Sequence, residues 1–168
     1  MARALRIAFV LLLVVACSSQ TEQQRIEDYV ALIEASESGQ PAMVEALLTR
    51  GTPVDAVEPG GPELVGSAWA PYAERPSPLF VAAANGHLQI VKSLLRHGPW
   101  LDWRCCDSFT PLGTAAANGH REIVEALLAA GADPSLATAG GKTPLEAARA
   151  NGHEEIALVL ERAMGQRK

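Results

Sequence analysis

The stretch Ser108-Phe109-Thr110-Pro111-Leu112-Gly113-Thr114-Ala115-Ala116-Ala117-Asn118-Gly119-His120 decides the fold, because the chain writes it three times. The copy 33 residues earlier reads SPLFVAAANGH, from Ser77 to His87, and the copy 33 residues later reads TPLEAARANGH, from Thr143 to His153. A fixed period of this length marks a small supersecondary unit that buries its apolar face only against its neighbours. Such an array presents an extended surface for holding something, and it rarely builds a closed reactive pocket.

Each repeated residue has a structural task. Ser or Thr before Pro predicts a helix N-cap followed by Pro at the first helical position, where its missing N–H is no loss. The small Ala115-Ala116 pair, matched by Ala82-Ala83, lets two helices approach closely. Gly119 suits a tight turn between them, and Gly131 a left-handed helix end. Ile123-Val124 and Leu127-Leu128 form a broad apolar stripe on the second helix of the unit.

These residues resemble the ankyrin repeat. TPLGTAAANGHREIVEALLAAGA (Thr110 to Ala132), SPLFVAAANGHLQIVKSLLRHG (Ser77 to Gly98) and TPLEAARANGHEEIALVLE (Thr143 to Glu161) follow its pattern closely. A degraded first unit also fits. Gly39, Met43-Val44, Leu47-Leu48 and Gly51 match Gly86, Ile90-Val91, Leu94-Leu95 and Gly98 at an offset of 47, which is 14 more than the period. The resemblance implies an all-α ankyrin-repeat solenoid of four helix-turn-helix repeats, eight short helices joined by finger-like turns. The repeats fall at about 26–55, 72–104, 105–137 and 138–165, within a domain spanning 26–165. A Pro/Gly-rich insertion at about 56–71 separates repeats one and two. At the ends, Val30-Ala31-Leu32 stands where TPL belongs and Arg149 replaces a small Ala. Polar terminal units of this kind read as caps, and hence as a complete array.

The first residues carry a second message. Arg3 and Arg6 precede ten apolar residues, Ile7 to Ala16, half the length of a membrane span and the length of a secretory signal core. Val14-Val15-Ala16-Cys17 then resembles the bacterial lipobox. That resemblance implies a signal peptide at 1–16 and a diacylated Cys17 opening a short tether, 17–25. Ser18 in place of Asp implies an outer-membrane lipoprotein facing the periplasm.

Charge and composition narrow the function. The chain has 14 basic and 19 acidic residues, a net of −5. Without Arg3 and Arg6 the net becomes −7, which argues against nucleic acid and makes the membrane an anchor only. No phosphate loop, catalytic triad or Cys/His ligand set is present, so no catalysis, no cofactor and no metal are expected. His87, His120 and His153 recur at the period, too far apart to share a zinc ion, and the family resemblance gives them hydrogen bonds within and between turns. Cys105-Cys106 are adjacent, so a bridge between them would be strained. Small apolar side chains, a vicinal disulfide and a redox switch all remain open for that pair.

Aromatic residues make up only 5% of the chain, yet Trp100, Trp103 and Phe109 crowd between units two and three. Trp69 and Tyr72 fall between units one and two, whereas Tyr29 and Phe80 read as core. Carried over from the family's variable positions, together with the finger aromatics, the partner-binding set is Trp69, Tyr72, Glu74, Asn85, Trp103, Arg104, Asp107, Phe109, Asn118, Lys142 and Asn151. Trp and Arg dominate many interfaces. For Trp69 and Trp103 the alternative is a ring that folds back over an irregular turn, as Trp100 also could. The expected function is non-catalytic binding of a periplasmic protein by a monomer. Inhibition of an immunity type is preferred, with a scaffold for an oxidative-stress enzyme or a thiol-redox role of Cys105-Cys106 as alternatives.

Overall fold

The computed structural model describes residues 23–55, 76–104, 109–138 and 140–165. The leader, Cys17, the 56–71 insertion and Cys105-Cys106 lie outside these residues. The described chain forms eight helices in four antiparallel pairs. Helix α1 covers 23–37, and α2 is Pro41–Thr49. The next pairs are α3 (Pro78–Ala84) with α4 (Leu88–Arg96), and α5 (Pro111–Ala117) with α6 (Arg121–Ala130). The last pair is α7 (Pro144–Ala150) with α8 (Glu154–Gly165).

Three inner helices start as the Ser/Thr-Pro pattern predicts. Ser77 Oγ accepts from the Phe80 N–H at 3.2 Å, and Thr110 Oγ1 accepts from the Gly113 N–H at 3.1 Å. Thr143 forms a full capping box, in which the Glu146 carboxylate accepts in return from the Thr143 N–H at 2.8 Å. Unit one lacks both the cap and the proline, so nothing starts a helix at Val30. Helix α1 instead begins at least as early as residue 23, supported by Gln23–Glu27 and Gln24–Asp28 side-chain bonds one turn apart. Two expectations change as a result. The first helix is not short, and residues 23–25 of the expected tether are helical.

Inner helices stack on inner helices, α3 on α5 on α7, and outer on outer, α2 through α8. One core runs through all four units. Leu32, Leu79 and Leu112, equivalent in the repeat, are completely buried, and so are Val44, Val91 and Val124 on the outer helices. Ala83 and Ala116 are buried as well, which permits the close approach of consecutive inner helices. At the same position in unit four, Arg149 is exposed and pairs with Glu161 across the end of the stack.

The histidines lock unit to unit. The ring of His120 lies against Gly86, and its Nε2 donates to Ala84 O at 3.1 Å. His87 repeats this one unit earlier, against Gly39, with Nε2 donating to Glu37 O at 3.0 Å. Gly131 ends α6 at φ 104, the left-handed cap its position implied. On the outer face, Glu45 receives both Ser93 and Arg96 of the next unit, and Arg121 bridges Glu125 and Glu155. The ion pairs among them are exposed, so each adds little stability. Among the described residues, no helix is long and apolar enough to cross a membrane.

Candidate partner-binding surface

The surface begins with the floor laid by α3. Phe80 and Val81 sit at two successive positions of the inner helix and form a small apolar cluster apart from the main core. Ile33 of α1 packs on it, and so do Trp103 and Phe109 of the second finger, the turn between α4 and α5. Phe109 also stands over Gly113, where an added Cβ would lie 3.6 Å from its ring. The equivalent position in unit two carries Phe80.

Trp103 and Phe109 are therefore half-buried. Each ring braces the finger with one part and leaves another part open, so Trp103 does fold back onto the turn, as one of its two readings expected. Trp100 stands beside Trp103 with ring centroids 5.4 Å apart and planes tilted by 35°. It remains 37% exposed, the largest apolar side chain so open among the described residues. Trp100, Asp102, Trp103 and Arg104 line an open cleft of about 400 Å³. The Trp103 indole N–H is buried without a hydrogen-bond acceptor.

The finger is held by acids that the sequence reading passed over. Asp55 Oδ2 accepts from the Trp100 backbone N–H at 2.6 Å. One unit on, Asp102 Oδ1 accepts from the Asp133 N–H at 3.0 Å. Asp55 and Asp102 are 47 apart, the register offset between units one and two, and that match was the available signal. Burial pushes the Asp55 carboxyl above the ordinary aspartate range, and the Trp100 N–H offsets this only in part.

The other sequence-derived positions divide by what their side chains already do. Asn118 and Asn151 are exposed, yet each amide donates to a carbonyl of the preceding inner helix, Ala84 O at 2.8 Å and Ala117 O at 2.9 Å. Asn85 donates within its own helix, to Val81 O at 2.9 Å. The three lie along one edge of the inner-helix layer, with part of each amide committed to the scaffold. Arg104 and Lys142 are exposed at the second and third fingers. Lys142 closes a tight turn in which its N–H donates to Thr138 Oγ1. Trp69, Tyr72, Glu74, Asp107, Cys105 and Cys106 lie outside the described residues. Among the described residues, no group of three His, Cys, Asp or Glu side chains is placed to hold a metal ion.

Paired helices at a constant period, Ser/Thr-Pro caps and His-on-Gly contacts between units agree with a sequence match to a family model. The model for ankyrin repeats matches in three copies, over residues 32–138 and 79–166. The chain belongs to the ankyrin-repeat family. Ankyrin repeats build protein–protein interaction modules, generally without catalysis. The match begins at Leu32, inside α1, so it includes part of the degraded first unit. A search of curated proteins found no match to this sequence.

Proposed function

We propose that this ankyrin array binds another protein through its second finger and the adjoining inner-helix surface. The observation that carries this reading is the Trp100–Trp103 pair on the Phe80–Phe109 floor, with Trp100 left 37% exposed. A stacked-repeat core needs no tryptophan at a turn, and large aromatic rings fixed by packing supply contact area at little entropic loss. Arg104 in the same cleft adds a charged anchor. The finer reading is that Cys17 is acylated and holds the array on the periplasmic side of a bacterial outer membrane. There it inhibits a partner in the manner of an immunity protein, or scaffolds a periplasmic enzyme. The apolar leader Ile7 to Ala16 and the Val-Val-Ala-Cys end support this anchoring.

The test is capture of binding proteins from the envelope fraction by the full chain, compared with Trp100→Ala, Trp103→Ala and Phe109→Ala variants. One partner lost in all three variants, and kept when Cys105 and Cys106 are both changed to Ser, is the expected result. Capture unaffected by the aromatic changes, but lost with the double serine change, overturns the reading in favour of thiol chemistry. For the anchor, Cys17→Ser is expected to abolish labelling by radioactive palmitate and to release the protein from membranes. Labelling that persists removes the lipoprotein reading.

A further inference from the structure

The joint between units one and two differs from the equivalent joint one unit on. In both, a finger carboxylate accepts the backbone N–H of a residue in the next finger, Asp55 from Trp100 and Asp102 from Asp133. At the first joint the N–H belongs to a residue whose ring is half of the aromatic pair. The second oxygen of Asp55, Oδ1, is buried with no hydrogen-bond partner. A half-buried carboxylate with one oxygen engaged and the other enclosed without a partner is less well stabilised as an anion than a solvated one, and its remaining hydrogen bond responds to its charge.

We propose that Asp55 is a positioning residue for the aromatic finger, fixing the Trp100 backbone and, through it, the Trp100–Trp103 pair in a way that changes when the carboxylate gains a proton. The inference rests on the finger being the binding surface. Ionised, Asp55 holds the Trp100 N–H by a charge-assisted bond. Protonated, it retains only a neutral acceptor, and the start of the finger loosens. Burial raises the pH at which this happens above that of an exposed aspartate. Charged groups lie near Asp55 and Trp100 at the ends of α2 and α4 and along the second finger. Arg50 ends α2 and pairs with Asp28, and Arg96 pairs with Glu45. His97 follows α4, and Asp102 and Arg104 stand on the second finger.

The experiment is an NMR pH titration of the ¹⁵N-labelled full chain, from about pH 7.5 to about pH 3.5, a window spanning the His and carboxylate ranges. The Trp100 amide proton and the Trp103 indole proton are followed together. Both are expected to move with one midpoint above the ordinary aspartate value. Both curves vanish in Asp55→Asn, which keeps an acceptor oxygen, and both persist in Asp102→Asn. A second measurement separates positioning from general folding: Asp55→Ala accelerates Trp100 amide exchange about tenfold, the loss of one hydrogen bond, while Asp55→Asn restores most of the protection. A flat Trp100 amide, a titration unchanged in Asp55→Asn, or a Trp103 indole that stays still while Trp100 titrates each overturns the proposal. No partner is needed for these readouts. Failure here therefore leaves the capture result standing, and failed capture leaves this one standing.

Discussion

Replacing Gly86 by Ala tests whether the histidine locks hold the array together. Gly86 has φ +78, and a Cβ there would stand 2.7 Å from Cε1 and 2.9 Å from Nδ1 of His120. That ring cannot simply swing aside, because its Nε2 is bonded to Ala84 O at 3.1 Å. The left-handed backbone alone costs an alanine about 1–2 kcal/mol. Alanine's smaller freedom in the unfolded chain returns about 0.4–1 kcal/mol of this. Expelling the ring removes a neutral hydrogen bond worth about 1 kcal/mol, together with part of the contact between units two and three. The expected loss is about 2–3 kcal/mol. Gly131 supplies the control: its φ is +104, and an added Cβ would meet nothing within 4 Å. Gly131→Ala should therefore lose only the backbone term, about 1 kcal/mol. Urea unfolding followed by circular dichroism measures both values. Repeating Gly86→Ala in a His120→Ala background should shrink its effect to that of Gly131→Ala. Equal losses for the two glycines, within about 0.5 kcal/mol, would refute the argument that the ring contact matters.

Other perturbations probe separate parts of the array. Ser36 is completely buried with its hydroxyl unpartnered, at the position Ala83 and Ala116 hold in later units. Ser36→Ala should stabilise the protein by about 1 kcal/mol in the same urea experiment. Asp102→Ala removes the acceptor for the Asp133 N–H and should lower stability by about 1–2 kcal/mol, whereas Asp102→Asn should lose less. Glu146 is held below its ordinary value of 4.5, chiefly because the Thr143 backbone N–H donates to it, with the Thr143 hydroxyl second. A depressed carboxyl stabilises fully above its unfolded value, so this contribution is present above 4.5 and fades as pH falls through the lowered folded value. Glu146→Gln should flatten that part of the stability–pH curve. Asp55 has the opposite sign: its raised folded value means stability falls as pH rises from the ordinary aspartate value through the raised one. Asp55→Asn should therefore leave stability at neutral pH unchanged or improved.

The repeat scaffold was legible because its determinants are local. Ser77, Thr110 and Thr143 cap helices through bonds to residues three positions away, and the turn glycines act on their own backbone. The same locality explains the main miss in the fold. Without a cap and proline at Val30-Ala31, no local signal starts a helix there, and α1 extends back to residue 23. Candidate contact residues were harder to read. Asn118 and Asn151 occupy variable positions of the repeat, but their amides reach across to the preceding unit, 34 residues away. Only the packed array reveals that commitment.

The sequence by itself determined the architecture: a 33-residue period carrying caps, small residues and apolar stripes admits stacked helix pairs and little else. It also marked the second finger as unusual by its crowded aromatics. What the tertiary structure decided is how that finger is held. The bond from Asp55 to Trp100 spans 45 residues, and the seating of Phe109 on Phe80 joins side chains of different units. Whether a ring at a turn braces the fold or faces outward depends on what lies opposite it after stacking. No pattern along one unit contains that information, because the neighbour that supplies it belongs to another unit.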